Sequence, residues 1–353
     1  MLQRGILQPN TKSPPKVRSL PVLREASPAP ALVERPSARS VRLSITDRCD
    51  FACTYCRPSK QDGYSETQLD LSAWCTMIDG LVASGVRRFR LTGGEPLLHP
   101  GIVEIVREIA ARGVGDLALT TNASRLAKLA KPLREAGLHR VNISIDSLDP
   151  QRFAAITRGG RLDRVLAGID AAIAAGLGPI KLNAVVLRGN NDDEIEALTE
   201  LAWKKGIVPR FLEVMPIAEG AKLVREQLVT VVEMRARLAP LLADGPLEVE
   251  PDRGPARYVS ARHDSALKVG FISGTSDTYC GACDRLRVSS NGTLRPCLAT
   301  DAGVDASGAA SENRAGDIPQ LLAEAWLQKP DGRTFKGCTE SSAAGVSMRA
   351  IGG

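Results

Sequence analysis

Between residues 41 and 215 a short β-prone run recurs six times: 41–46 (VRLSIT), 87–92 (RRFRLT), 116–122 (DLALTTN), 140–146 (RVNISID), 180–186 (IKLNAVV) and 208–215 (VPRFLEVM). Helical patterns separate these runs, at 71–84, 101–112, 124–136, 163–175 and 193–205. Strands joined through helices lie parallel, with right-handed crossovers. Two α/β architectures satisfy that rule, a doubly wound sheet and a (β/α) barrel. In the doubly wound case both faces are covered, and strands read as nearly continuous Val, Ile and Leu. Here they alternate. Arg42, Ser44 and Thr46 share one face of the first run, and Arg88, Arg90 and Thr92 share one face of the second. Asn142, Ser144 and Asp146 do so in the fourth, Lys181 and Asn183 in the fifth, and Arg210 lies in the sixth. With side chains at period two, one face is apolar and is covered by the helices. The other is polar and basic. The expected fold is therefore a partial, open TIM-type (β/α)6 barrel whose concave interior suits an anion.

Beyond residue 216 the rhythm changes. A helix near 229–242 is followed by short strands at 256–260, 268–273, 286–290 and 293–298. Residues 302–315 (AGVDASGAASENRA) are small and polar and read as a flexible loop, before a helix at 317–328. The expected division is a tail at 1–40, a barrel core at 41–216 and a small C-terminal α+β domain at 217–353.

The net charge of +6 resides mostly in the tail. Residues 1–40 hold seven Lys or Arg against Glu25 and Glu34, together with seven prolines and no apolar periodicity, which reads as disorder. The body then carries 39 basic against 38 acidic residues. That balance gives little support to DNA binding. No run of about 18 apolar residues crosses a membrane, and no leader precedes a small-residue cleavage site. The chain is expected in the cytoplasm.

Six of the eight cysteines fall into two sets. Cys49, Cys53 and Cys56 follow the first strand with C-x3-C-x2-C spacing, on a βα loop where barrel sites are built. Structural zinc wants four ligands, and the nearest further cysteine, Cys75, falls on a helix. A [4Fe–4S] cluster accepts three thiolates and leaves one iron open. Spacing alone leaves zinc and a redox trio as alternatives. Cys280, Cys283 and Cys297 form a second set, C-x2-C-x13-C, for which His263 or Cys338 offers a fourth zinc ligand. At the end of the second strand, Gly93 and Gly94 let a ligand approach the backbone, and Glu95 offers an acceptor to an ammonium group.

The segments RLSITDRCDFACTYCRP (42–58) and RLTGGEP (90–96) resemble the radical S-adenosylmethionine superfamily. The resemblance implies a [4Fe–4S] cluster on Cys49, Cys53 and Cys56, with S-adenosylmethionine chelating its open iron. One electron would cleave the sulfonium to a 5′-deoxyadenosyl radical that abstracts hydrogen. It also implies cofactor contacts at Tyr55, Gly93, Gly94, Glu95, Asn122 and Ser144, with the glycines and Glu95 around the methionyl amino group.

A wider resemblance covers about 41–353. It rests on LHRVNISIDSLDP (138–150), KLNAVVLRGNNDDEI (181–195), RFLEVMP (210–216), GPAR (254–257), GFISGTSDTYCGACDRLRVSSNGTLRPCL (270–298) and the terminal IGG. These stretches are similar to the GTP 3′,8-cyclase family of molybdenum cofactor biosynthesis. That likeness implies a second [4Fe–4S] cluster on Cys280, Cys283 and Cys297, whose open iron binds guanine. It implies hydrogen abstraction at ribose C3′ of GTP and closure of a C3′–C8 bond, with no side chain as acid or base. Arg42, Arg88, Arg90, Lys181, Arg210, Arg285 and Arg287 match its substrate contacts, and guanidinium forks suit phosphate. Gly352 and Gly353 match a diglycine tail that enters the site. Implied partners are a flavodoxin- or ferredoxin-type electron donor and a downstream cyclic pyranopterin monophosphate synthase; a homodimer is compatible with the pattern.

Four residues depart from the family. Arg57 stands where Met is usual, Ala123 for Gly, Asp284 for Asn, and His99 where Arg is frequent. Asp284 adds negative charge beside the second set, which leaves open a paralogue acting on a peptide or another substrate. A zinc-stabilised nucleic-acid-binding protein is the alternative from another class. Cys75 reads as a core thiol.

Overall fold

Eight parallel strands form the centre of one twelve-stranded sheet. A computed structural model describes residues 39–61, 63–250, 254–280, 283–330 and Met348. The expectations for the tail, Cys338, Gly352 and Gly353 lie outside these residues. The six strand-like runs of the sequence give β1 (Ser40–Ser44), β2 (Arg88–Thr92), β3 (Asp116–Thr121), β4 (Arg140–Ser144), β5 (Lys181–Val186) and β6 (Val208–Glu213). They lie side by side in chain order, all parallel.

The chain after residue 216 extends both edges of this array. At one edge β9 (Lys268–Ile272) pairs parallel with β6, and β8 (Arg257–Ser260) and β7 (Glu248–Val249) continue antiparallel. At the other, β10 (Arg285–Val288) pairs parallel with β1, followed by β11 (Thr293–Arg295) and β12 (Val304–Asp305). β9 and β10 do not pair with each other, so the barrel stays open. Because β9 and β10 lie at opposite edges of the parallel array, the connection between them, residues 273–284, must span from one edge to the other. That strap carries Cys280 and Cys283.

The apolar parity of each strand faces the helices. Leu43, Leu91, Leu119, Val141 and Ile143 are fully buried against them. The covering helices are α1 (Leu71–Ala83), α2 (Ile102–Ala111), α3 (Leu126–Glu135), α4 (Pro150–Thr157), α5 (Leu162–Ala174) and α6 (Ile195–Lys204), then α7 (Glu219–Gln227) and α8 (Val231–Arg237). The caps follow from sequence. Asp70 accepts from Ala73 N at 2.8 Å to start α1, and Thr230 with Glu233 forms a capping box on α8. Sequence patterning does not anticipate α4. It starts on the capping carboxylate of Asp149, with Pro150 in its first turn.

One expectation is overturned. Residues 302–315 are not a flexible loop; they contain β12 and a short helix, α9 (Ser307–Ser311), followed by α10 (Ile318–Leu327). Ala309 and Ala310 are buried. The low side-chain volume that suggests a loop is what lets this segment pack tightly against α1. The same closeness recurs at Gly80 of α1, where a Cβ would meet the Ile318 side chain at 2.3 Å.

Candidate active site in the open barrel

Strand register sets three arginines in a row. Arg42 of β1 is level with Arg90 of β2 on one side and Arg287 of β10 on the other. All three line one cavity, together with Arg210 of β6. Thr92, Ser144, Asp146 and Asn183, the other inward positions read from strand parity, line it too. Arg210 is nearly fully buried, and its guanidinium donates to Asn183 Oδ1 at 2.8 Å and Asn142 Oδ1 at 3.0 Å, both neutral. Burial and the neighbouring guanidinium groups of Arg287, Arg90 and Arg285 hold Arg42 well below its ordinary pKa. Arg90 is lowered by burial, then by Arg140, Arg210 and Arg285. Arg287 is lowered by burial, then by Arg285. Like charges placed level on adjacent strands repel. An anion in the cavity relieves that repulsion.

Three expected anion contacts lie outside the cavity lining. Arg88, at the start of β2, is ion-paired with Asp284. Lys181 donates to Tyr258 Oη at 2.9 Å, and Arg285 stacks over the Tyr279 ring at 5.0 Å. Parity puts Arg88 and Lys181 on the correct face. It carries no information on height along the strand, and both stand at strand starts, away from the end where the cysteine loop lies.

That loop follows β1 and is sewn to three neighbours. Ala52 N and Thr54 N donate to Thr157 O (3.1 Å) and Ile156 O (3.0 Å) at the end of α4. Gly94 N and Glu95 N donate to Thr46 O and Arg48 O, both at 2.7 Å. The glycines are required by this approach: a Cβ on Gly93 would lie 2.3 Å from Thr46 O, and one on Gly94 2.4 Å from Arg48 O. Inside the loop, the buried guanidinium of Arg57 donates to Lys60 O at 3.1 Å and to Cys49 O and Phe51 O at 3.4 Å. Cys49, Cys53 and Cys56 all line the cavity. Burial, with nearby carboxylates and the other thiols, pushes the Cys49 and Cys53 thiols up.

Glu95 is 1% exposed and also lines the cavity. Its carboxylate accepts from Thr121 Oγ1 at 2.6 Å, Asn122 N at 2.7 Å and Leu97 N at 3.0 Å. Burial raises its pKa to about 7, against the pull of those three bonds. Of four acceptor positions on a carboxylate, one is left for a donor in the cavity. Tyr55 donates from its hydroxyl to Asp146 Oδ2 at 2.7 Å, which fixes the ring against the cavity wall. Asn122 and Ser124 donate to the two oxygens of Asp50, at 2.8 and 2.7 Å, and tie the third strand's end to the cysteine loop.

Sequence reading misses Glu213, an acid ending a mostly apolar strand. It is buried, and it accepts from Thr275 N (2.9 Å), Ser276 N (2.8 Å) and Val231 N (2.8 Å). Glu213 thereby anchors the start of the strap that bears Cys280 and Cys283. Cys283 N donates to Cys280 O at 3.2 Å, which holds the two cysteines close along the strap. Burial raises Cys283, but Arg285 and Lys329 outweigh it and bring the thiol to about 7.

The first trio fits an iron–sulfur cluster. Its three cysteines are half-buried on one short loop and line the cavity together. Zinc needs four ligands at about 2.0–2.3 Å; a larger iron–sulfur cluster would be held by the three thiolates. The second trio offers the same donor set beside two cations, Arg285 and Lys329. No helix among the described residues is long and apolar enough to cross a membrane.

Comparison with known proteins agrees with this geometry. Residues 43–202 match the radical SAM superfamily model, and residues 207–335 match the Molybdenum Cofactor Synthesis C model. The GTP 3′,8-cyclase 1 of Pseudomonas aeruginosa is 43% identical over 306 residues, covering 85% of this chain and 92% of the relative. The GTP 3′,8-cyclase of Heliobacterium modesticaldum is 43% identical over 303 residues, covering 84% and 90%. Among solved structures, SuiB of Streptococcus suis bound to S-adenosylmethionine superposes with a TM-score of 0.60 at 14% identity, covering 85% of this chain and 68% of that one. The anSMEcpe protein with bound AdoMet gives 0.54 at 13% identity, covering 86% and 83%. At such identities these two likenesses concern the fold alone. The chain belongs to the GTP 3′,8-cyclase family of radical S-adenosylmethionine proteins.

Proposed function

We propose that the chain converts GTP to 3′,8-cyclo-7,8-dihydro-GTP, the first step of molybdenum cofactor biosynthesis. The observation that carries this reading is the row Arg287–Arg42–Arg90, level across three strands and facing the same cavity as the cysteine loop. A triphosphate neutralises charges that otherwise repel, and its ribose is then held between the two cysteine sets. When bound, the two [4Fe–4S] clusters and S-adenosylmethionine supply the one-electron chemistry that removes the C3′ hydrogen.

The chain's own part is positioning and exclusion of water. Cys49, Cys53 and Cys56 hold the first cluster. Gly93 and Gly94 give backbone access to the methionyl end of the cofactor, and Glu95 accepts from its amino group at the remaining acceptor position. Tyr55, fixed through Asp146, packs at the adenine, with Asn122 and Ser144 near the same cofactor. Arg42, Arg90, Arg210 and Arg287 bind the triphosphate. Arg285 lies beside the second set, while Arg88, ion-paired with Asp284, and Lys181, bonded to Tyr258, stand outside the cavity lining. Cys280, Cys283 and Cys297 would hold the second cluster, at the guanine end of the substrate. The family likeness further assigns Gly352 and Gly353 a part in the reaction. In this reading residues 41–216 form the barrel that holds the first cluster and most of the substrate arginines, and residues 217–353 supply the second cysteine set.

A low-potential flavodoxin or ferredoxin delivers the electron, a cyclic pyranopterin monophosphate synthase consumes the product, and the reaction runs in the cytoplasm. The test is anaerobic reconstitution with iron and sulfide, an iron count, and then incubation with S-adenosylmethionine, reductant and GTP. The expected result is about eight irons per chain and GTP-dependent formation of 5′-deoxyadenosine and the cyclic nucleotide. Deoxyadenosine with no cyclised nucleotide would overturn GTP as substrate. Bound zinc in place of iron would overturn the radical chemistry.

A further inference from the structure

The second cysteine set is split between two segments. Cys280 and Cys283 lie on the strap before β10, and Cys297 follows β11. The β10–β11 ladder reaches only to the pair Arg287↔Arg295. Beyond that pair the two segments run on toward Cys283 and Cys297, and a side chain bridges them. Lys329, just past the end of α10, donates from Nζ to Arg285 O at 2.7 Å and to Pro296 O at 2.8 Å. Arg285 is two residues after Cys283, and Pro296 directly precedes Cys297. The ammonium group also lies 5.2 Å from the centre of the Trp326 ring, which fixes its approach from α10.

We propose that Lys329 is the positioning residue of the second cluster: it staples the two cysteine-bearing segments at the open end of the β10–β11 hairpin and sets a cation beside their thiolates. The proposal rests on the assignment of a cluster to Cys280, Cys283 and Cys297. Two consequences are separable. The staple needs a donor that reaches both carbonyls. The electrostatic effect needs the positive charge, which favours the more electron-rich state and raises the cluster's reduction potential.

The test uses the full chain with Cys49, Cys53 and Cys56 changed to Ser, so that only the second set takes up iron. K329R, K329Q and K329M are reconstituted beside the parent. Iron retained under a chelator and the midpoint potential from an EPR-monitored titration are read on each. K329R is expected to keep the parent's potential. K329Q keeps an N–H donor but loses the charge, so its potential falls while it retains iron. K329M loses iron several-fold faster as well. Potentials and iron retention in K329Q and K329M equal to the parent's would overturn the proposal. If the K329M chain does not fold, the potential of K329Q alone decides. A parent that takes up no iron overturns the cluster assignment itself, a result distinct from any difference among the variants.

Discussion

The Arg88 guanidinium is ion-paired with the Asp284 carboxylate, which joins the start of β2 to the residue that follows Cys283. Both side chains are about one-fifth to one-quarter exposed, at 20% and 24%. The departure of Asp284 from the family's usual Asn therefore brings no uncompensated charge to the second cysteine set. The cation that the family pattern assigns to substrate is instead engaged by the strap.

Asp284→Asn removes that ion pair and leaves the Arg88 charge to act on the substrate triphosphate. A partly exposed pair of this kind is worth about 1 kcal/mol. The KM for GTP is accordingly expected to fall by about threefold to tenfold with little change in kcat. Steady-state kinetics on the reconstituted protein checks this. An unchanged KM would mean that Arg88 serves only to fix the strap.

Ala123 adopts φ +60, in the left-handed region, with its side chain fully buried. Glycine, usual here in the family, avoids a cost of about 1–2 kcal/mol. It also raises the entropy of the unfolded chain by about 0.4–1 kcal/mol. Ala123→Gly is thus expected to stabilise the apo chain by about 0.5–1 kcal/mol. Urea unfolding of both forms measures it. Destabilisation would show that the packing of the Ala123 methyl beside Gly168 outweighs the backbone strain.

Much of this arrangement is legible in the sequence because it is local or periodic. Strand parity places Arg42, Arg90, Ser144 and Arg210 on the concave face, since alternation at period two does not depend on distant residues. Cysteine spacing isolates the first trio for the same reason. What escapes depends on partners far apart in the chain. Arg88 meets Asp284, 196 positions away, and Lys329 meets Arg285 and Pro296, 44 and 33 away. The α9 segment carries too little apolar volume to signal a helix, and its packing on α1, far away in the chain, orders it. Glu213 gives one local sign, a lone acid in RFLEVMP, and a buried carboxylate of that kind needs several donors.

Asp146 gives the apo protein a pH dependence of definite sign. Burial raises its pKa from 3.8 to about 6, although Tyr55 and Val185 N both donate to it. A raised carboxyl pKa favours the protonated folded form. The stabilisation is therefore complete below pH 3.8 and is lost as pH rises through about 6. The loss is on the order of 3 kcal/mol at most. Asp146→Asn keeps both contacts, because its amide can accept from Val185 N and donate to Tyr55 Oη. The two unfolding free energies, compared from pH 4 to pH 7, should diverge in favour of D146N as pH rises. Parallel curves would show that water reaches the carboxylate.

Arg57 is the departure with the largest structural consequence. It is 2% exposed, and it donates to three carbonyls of its own loop while its guanidinium lies 5.3 Å from the centre of the Tyr64 ring. Arg158 closes the same loop from outside, donating at 2.8 Å to Arg57 O and Pro58 O. A Met at position 57 fills similar volume but donates nothing. The carbonyls of Cys49, Phe51 and Lys60 then lose a charged donor, at a cost of about 1–3 kcal/mol. Arg57→Met is expected to lower apo stability by that amount and to speed alkylation of Cys49, Cys53 and Cys56, because the loop opens around them. Arg57→Lys, with one compact donor group in place of a fork, should fall between the two. Thiol-reaction rates followed by mass spectrometry decide the matter locally. A stability loss without faster alkylation would place the role of Arg57 in packing against Tyr64 rather than in holding the cysteine loop.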